Sequence, residues 1–491
     1  MTKVGQAMPV ATPEYRPVTP AIAAELREII GERYVIYGEP KRMQDYAHDE
    51  VTGEEYAHSP EAVIKPDAAD GISRVMRLAN RERIPVTPRG AGSGLSGGAT
   101  PVYGGIVLSL ERMNRILEID RENMVVVVEP GVVTNDINDA VEEYGLFYAG
   151  YPMSVEMCFI GGNVAENAGG GRAIKYGVTG QYVLGLEVVL PTGEIVQLGG
   201  KRVKDVTGYD LLHLMVGSEG TLGVFTKIIL RLLPRPTARA VLLAPFADVA
   251  AAIGAVPRIM TRGHIILTSV EFMDRRSIQA AYDYTGERLP HPDAGAMLLI
   301  EVDGYSQRQV KENYNSVVDL CLELGALDIL VGDTPQDQRR MWRPRQEMAE
   351  AIKAIGPVQS LEDIVVPMAR IPELMPELER LSEKYDVLIP CYGHAGDGNL
   401  HATIVKRPKT PMAKWDENLP AILEELYTTV AGLGGTISGE HGIGSKRARY
   451  LPVVMAPELI AIQRRIKRVF DPLNILNPGK IFPQISPRGS V

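Results

Sequence analysis

Apolar residues recur along the chain in two rhythms. In "AADGISRVMRLANRERI" (68–84) they return every three or four positions, which predicts a helix with one buried face. "TPAIAAELREIIG" (19–31) has the same period, with Thr19 placed as N-cap, Pro20 at the first helical position and Gly31 as the stop. A capped helix is expected over 134–146, "TNDINDAVEEYGL". The β-branched runs "PVTPRG", "GIVLSL" (105–110) and "MVVVVEPGV" (124–132) read as strands. From 158 to 226 strands alternate with glycine-rich turns. Further on the periods lengthen: helices are expected over 307–324 and 371–384, and strands over 296–304 and 386–394. "LLPRPTARAVLL" (232–243) has the proline content of a linker, and the domain boundary is placed there. No solenoid repeat or low-complexity tract is present.

Composition narrows the function classes. A chain of 491 residues exceeds one ordinary core and suggests two large domains. With 45% hydrophobic and 23% charged residues it reads as an ordinary globular protein. The net charge of -9, without a basic stripe, argues against nucleic-acid binding. Cys158, Cys321 and Cys391 are odd in number and far apart, which fits a reducing compartment. The first residues contain no apolar signal-peptide core. The longest apolar run, Ala240–Val256, is interrupted by Asp248 and is too short to span a bilayer. A cytoplasmic chain without a transmembrane segment is expected, with peripheral association at a membrane left open.

"PRGAGSGLSGG" (88–98) contains the string G-x-G-x-x-G. A dinucleotide fingerprint of that kind must open a helix. Here the next residues are "ATPVYGGIVLSL", and Pro101, Gly104 and Gly105 prevent a long helix. The alternative is a nest of backbone N–H groups suited to a pyrophosphate, with Arg89 adding charge; the plain reading is a flexible turn. Two further glycine-rich stretches, "IGGNVAENAGGG" (160–171) and "GSEGTLGV" (217–224), favour one long ligand lying against several loops.

Taken together, these three stretches resemble the FAD-binding half of the vanillyl-alcohol-oxidase-type flavoproteins. The resemblance assigns Pro88, Arg89, Gly90, Ala91, Gly92, Ser93, Gly94 and Ser96 to the FAD pyrophosphate. It assigns Pro152, Ser154, Gly161, Gly162, Asn163 and Asn167 to the flavin and ribityl chain, and Glu219, Gly223 and Val224 to the remaining lining. Some relatives attach FAD covalently through His or Cys. No His lies in 88–98 and Cys158 reads as a small buried hydrophobe, so the cofactor is expected to be non-covalent.

Three of the eight histidines sit in two tight motifs, "CYGHAGDGNLH" (391–401) and "SGEHGIG" (438–444). A helix would place His394 and His401 on one face, but Gly396, Asp397 and Gly398 argue against a helix. A single straight strand would separate them. A hairpin turning at Asp397-Gly398 brings the imidazoles together. Two imidazoles and a carboxylate, for which Glu440 is the candidate, suit a divalent metal of the zinc or manganese type. The plain alternative for any one of these histidines is a satisfied core residue.

With "NPGKIFP" (477–483), these motifs resemble the C-terminal domain of the FAD-linked 2-hydroxyacid dehydrogenases, which include glycolate oxidase catalytic subunits and D-lactate dehydrogenases. The resemblance implies an α+β architecture: a PCMH-type FAD-binding domain followed by an FAD-linked oxidase C-terminal α+β substrate domain. The expected division is an N-terminal arm and helix (1–40), the FAD-binding domain (41–235), a substrate- and metal-binding cap (236–450) and a C-terminal helix and tail returning to the FAD domain (451–491). It also implies a Zn, Mn or Fe ion on His394, His401 and Glu440, and His441 as catalytic base. Arg345 of "WRPR" would grip the substrate carboxylate, where the plain alternative is a surface salt bridge. Thr403 would be a polar substrate contact.

The expected reaction is oxidation of a small D-2-hydroxyacid, D-lactate or glycolate, to the 2-oxoacid, with hydride passing to flavin N5. The cysteines form no iron–sulfur cluster, so electrons would leave to a separate acceptor: an electron-transfer flavoprotein, a quinone or an iron–sulfur partner subunit. A homodimer or hetero-complex stays open. The rivals are D-2-hydroxyglutarate oxidation, an alkyl-dihydroxyacetonephosphate-synthase-like FAD transferase, and a non-catalytic flavin-holding subunit.

Overall fold

A computed structural model describes residues 14–150, 152–287 and 290–482. Residues 1–13 of the expected arm and 483–491 of the expected tail lie outside the described residues.

The first half contains two main sheets and a two-stranded one that pairs Leu146–Phe147 with Leu233–Pro234. The smaller main sheet has the order Val35–Tyr37, Ala62–Ile64, Ile106–Ser109, Val86–Arg89, and its last three strands are parallel. Thr19 caps the Pro20–Ile30 helix by accepting from the Ile22 N–H, as its position predicts. The Ala69–Glu82 helix sends Ile72, Val75, Met76 and Leu78 against this sheet and stops at Arg83 in the left-handed conformation. Burying each such side chain contributes about 1.5–3 kcal/mol. The second sheet is antiparallel, ordered Ile116–Asp120, Val125–Val128, Val224–Arg231, Val183–Val189, Ile195–Gly199.

The second half is built on one antiparallel sheet of eight strands. Its main path runs Leu330–Gly332, Ala238–Phe246, Ala296–Gly304, Ser269–Asp274, Cys391–His394, Asn399–Lys406, Gln359–Val365. Helices cover both faces. Along Ala296–Gly304, Leu298, Ile300 and Val302 pack with Val256, Val317 and Leu378. Met297 and Leu299 pack on the other side with Ile278, Trp342 and Met348. Further along that second face, Glu301 and Asp303 meet Arg172 and Lys175 of the first half. The C-terminal segment runs back to the first half: Lys467 donates to the Thr221 carbonyl, and Asn477 donates to those of Gly98 and Glu219.

Three local expectations are corrected. Half of the supposed linker, 238–243, belongs to the nine-residue strand Ala238–Phe246, which is paired along its whole length with Ala296–Gly304. The flanking prolines lie just outside that strand, and apolar burial claims the rest. The second glycine stretch opens as a helix, Ile160–Glu166, because Ile160 and Val164 reach the core and only Asn167 breaks the turn. The helix Thr134–Glu142 lacks a side-chain cap. The Thr134 hydroxyl donates to the Cys158 carbonyl and accepts from Asn163 Nδ2 instead. No helix among the described residues is long and apolar enough to cross a membrane.

Candidate active site

A cavity of about 570 Å³ lies where the glycine-rich stretches of the first half face the histidine motifs of the second. Pro88 and Arg89–Gly94 line one side, and no helix opens directly after them. Gly92 has φ +78, and a Cβ there would fall 2.0 Å from Arg89 Nη2. The Arg89 guanidinium is thus tucked under the loop, where it donates to the His48 and Asp45 carbonyls. Its charge braces the nest from behind. Pro152, Ser154, Gly161, Gly162, Asn163, Glu219, Gly223 and Val224 also line the cavity. Ser96 and Asn167 do not. The Ser96 hydroxyl accepts from the Gly98 N–H and donates to Glu166, and Asn167 Oδ1 accepts from the Gly180 N–H, so both hold loops in shape. Cys158 is buried at the cavity wall.

The histidine motif forms a hairpin. Cys391–His394 pairs antiparallel with Asn399–Lys406, Tyr392 opposite His401 and His394 opposite Asn399. Gly398, at φ +86, makes the turn. The ligand atoms of His394, His401 and Glu440 lie within 4.8 Å of one another. Nε2 of His394 is 3.5 Å and Nε2 of His401 3.3 Å from Glu440 Oε1. Nε2 of His394 is buried without a hydrogen-bond partner. Burial opposes a charged His394, yet the Glu271 and Glu440 carboxylates hold its pKa well above the ordinary imidazole value. Burial likewise opposes ionisation of Glu440, and the imidazoles outweigh it and hold its pKa well below the usual carboxylate range. Two imidazole nitrogens, one of them the orphaned Nε2 of His394, and one carboxylate fit a divalent ion of zinc, manganese or iron type.

Two carboxylates that the sequence reading missed organise this cluster. Asp363 Oδ2 accepts from the Ser438 hydroxyl and from the backbone N–H groups of Gly439, Glu440 and His441, at 2.7–2.9 Å. Its Oδ1 accepts from Asn399 Nδ2. Asp363, His401 and His441 also converge closely enough to hold an ion. Oδ2 of Asp363 already accepts from four donors and Oδ1 from one, so the set with Glu440 is the better one. The second missed residue is Glu271, fully buried, which accepts from His394 Nδ1 at 2.7 Å and from Arg345 Nε at 2.7 Å. Their signal was acids set among strand-forming apolar residues, in "SVEFMD" and "SLEDIV". Such an acid is buried only when paired.

Arg345 ends the helix Pro335–Gln346 and is buried, 4.9 Å from the Tyr392 ring centroid, so the surface-bridge alternative is excluded. His441 lines the cavity and stacks on His401 with ring centroids 5.2 Å apart. Burial drives its pKa down to about 4, against the pull of Asp363. It is therefore neutral at pH 7. Thr403 is buried outside the cavity lining.

Residues 60–199 match the FAD binding domain family, and residues 235–481 match the C-terminal domain of the FAD linked oxidases. The chain is 41% identical to "Glycolate oxidase subunit GlcD" of Bacillus subtilis, over 89% of this chain and 92% of that protein. It is 37% identical to the "D-lactate dehydrogenase" of Anaerostipes hadrus, over 95% and 98%. Among solved structures, p-cresol methylhydroxylase with substrate bound superposes with a TM-score of 0.77 at 21% identity, covering 94% of this chain and 96% of that one. A 4-ethylphenol oxidase from Gulosibacter chungangensis gives 0.76 at 20%, covering 96% and 99%. A PCMH-type FAD-binding domain joined to an FAD-oxidase C-terminal domain accounts for the sheets of both halves and for the cavity between them, and the chain belongs to the FAD-linked oxidase family of flavin-dependent oxidoreductases.

Proposed function

We propose that this protein oxidises a small D-2-hydroxyacid, D-lactate or glycolate, to the 2-oxoacid, and that its electrons leave to an acceptor other than oxygen. One observation carries the reading: Arg345, His441 and the His401–Glu440 edge of the histidine cluster all line the same cavity as the FAD loops. Arg345 pairs with the substrate carboxylate through its guanidinium. His441, which lines the cavity, takes the C2 hydroxyl proton on a ring nitrogen. FAD, held non-covalently by the three glycine-rich stretches, supplies the hydride acceptor at N5. A divalent ion held by His394, His401 and Glu440 would supply polarisation of the substrate hydroxyl. Gly162 leaves bare backbone toward the cofactor space, since a Cβ there would meet nothing within 4 Å, whereas Gly161 and Gly223 are required by close packing on Pro130 and Val188.

Size selection rests on the lining. Arg89 and Arg345 are the only Lys or Arg side chains on it among the described residues, and Arg89 is committed to backbone carbonyls. A second substrate carboxylate would lack a partner, which favours a monocarboxylate over D-2-hydroxyglutarate. The fold is shared with alkyldihydroxyacetonephosphate synthase, at a TM-score of 0.72 and 19% identity. The intact histidine cluster and the hydroxyacid-oxidising relatives favour the dehydrogenase over that transferase. The cysteines are buried and apart, so a quinone, an electron-transfer flavoprotein or an iron–sulfur subunit receives the electrons. Relatives named as a glycolate oxidase subunit support a hetero-complex. The free cysteines suit a cytoplasmic location.

The test is anaerobic flavin reduction with a panel of D- and L-2-hydroxyacids. Bleaching by D-lactate or glycolate is expected. A flavin that no hydroxyacid reduces sinks the proposal.

A further inference from the structure

Glu271 stands opposite His394 in the pairing of Ser269–Asp274 with Cys391–His394. Its two oxygens are divided. Oε1 accepts from His394 Nδ1 at 2.7 Å and from the Ser269 hydroxyl at 3.2 Å. Oε2 accepts from Arg345 Nε at 2.7 Å, and Arg345 Nη2 lies 2.6 Å from the same oxygen. The side chain has no solvent exposure. The first half also closes on it: a Cβ on Gly171 would fall 2.4 Å from Oε1 and 3.3 Å from the Ser269 hydroxyl oxygen. Two residues away, a Cβ on Gly169 would fall 3.1 Å from Glu440 Oε2. The triple glycine 169–171 therefore lets bare backbone press on the two carboxylates that flank His394. Lining the cofactor does not by itself explain that requirement.

We propose that Glu271 is a positioning residue that couples recognition of the substrate carboxylate to the histidine cluster. It rests on the reading of Arg345 and His394 given above and adds a connection between them. One rigid carboxylate sets the direction of the Arg345 fork and, through Nδ1, the direction in which His394 presents Nε2. Any shift of the guanidinium toward a bound carboxylate is felt at His394, and an ion on His394 is felt at Arg345. Such coupling is reciprocal.

The experiment uses oxidised FAD-loaded protein and two probes: zinc, measured by chelator competition, and pyruvate, a non-reducing carboxylate read from the flavin spectrum. In wild type, zinc tightens pyruvate binding and pyruvate tightens zinc binding by the same factor. Glu271→Gln weakens each probe by about tenfold, in line with the effect of removing a carboxylate behind a ligating histidine. It also lowers their mutual effect well below the wild-type factor, leaving only what direct contact between ion and ligand supplies, and leaves FAD content unchanged. Gly171→Ala, which keeps the Glu271 carboxylate but pushes it from its position, gives the same pattern and carries the test if the first variant does not fold. Loss of zinc or pyruvate binding alone, or intact reciprocity in both variants, overturns the coupling. Wild-type protein that binds no zinc overturns the metal reading instead.

Discussion

Glu219 of the flavin-binding half accepts hydrogen bonds from the backbone N–H groups of Gly444, at 2.6 Å, and Ile443, at 2.8 Å. The loop that carries Glu440 and His441 is thus held from both sides, by Glu219 across the cavity and by Asp363 from its own sheet. Hydrogen bonds to a charged acceptor contribute about 1.5–3 kcal/mol each. Glu219→Ala should lower the midpoint of thermal unfolding and reduce turnover more than it raises KM. Equal turnover in variant and wild type would show that the latch is dispensable.

Asp363 is the stronger anchor. Replacing it with Asn puts an amide N–H against backbone donors, and removing one partner of a buried charged group costs about 3–5 kcal/mol. Asp363→Asn should release the loop and cut flavin reduction at least as far as loss of His441. A variant with wild-type reduction kinetics would remove Asp363 from its organising role.

His441→Ala should slow hydroxyacid-driven flavin reduction by about 10²–10⁴-fold, the usual contribution of a general base. Binding of the 2-oxoacid should change little. Stopped-flow reduction measures the first and a flavin-spectrum titration the second. Near-normal reduction contradicts the base assignment. Arg345→Lys should raise KM chiefly, because an ammonium cannot present the two-pronged guanidinium contact.

Chelation separates the metal from the flavin. Dialysis against a strong chelator should abolish hydroxyacid-driven reduction while FAD stays bound, and zinc or manganese should restore it. A reduction rate indifferent to the chelator defeats the metal assignment.

Stability should carry a signature of Asp274, whose carboxyl accepts from the Ser277 and Cys391 N–H groups. Burial pushes its pKa up from 3.8 to about 6. The folded state therefore holds the extra proton between these values. The contribution of Asp274 to stability is fully present below the lower value and falls by about 3 kcal/mol as pH rises through the folded pKa. Urea unfolding between pH 4 and 7, compared with Asp274→Asn, checks this: the variant should lose that downward component.

Period and punctuation determined much of this protein. Thr19-Pro20 and Gly31 bracket their helix, and "AMLLIEVDG" forms the strand Ala296–Gly304 along its full length. The Asp397-Gly398 hairpin also forms where it reads. These signals are local, because backbone geometry at Gly, Pro and Asp depends on near neighbours. The glycine string was legible in the same way, since Pro101, Gly104 and Gly105 just downstream forbid a long helix.

The linker reading of 232–243 failed because burial against Ala296–Gly304, distant in sequence, outweighs two flanking prolines. The inward turn of Arg89, the five donors on Asp363 and the shared carboxylate of Glu271 had no local signal strong enough to assign them. Each joins residues far apart in the chain, and a charge is tolerated in an apolar strand only when the folded sheet supplies its partner. The sequence by itself determined which chemical groups are present and how each turn is made. The tertiary structure decided which of them face one another, because that depends on sheet pairing and burial across both halves of the chain.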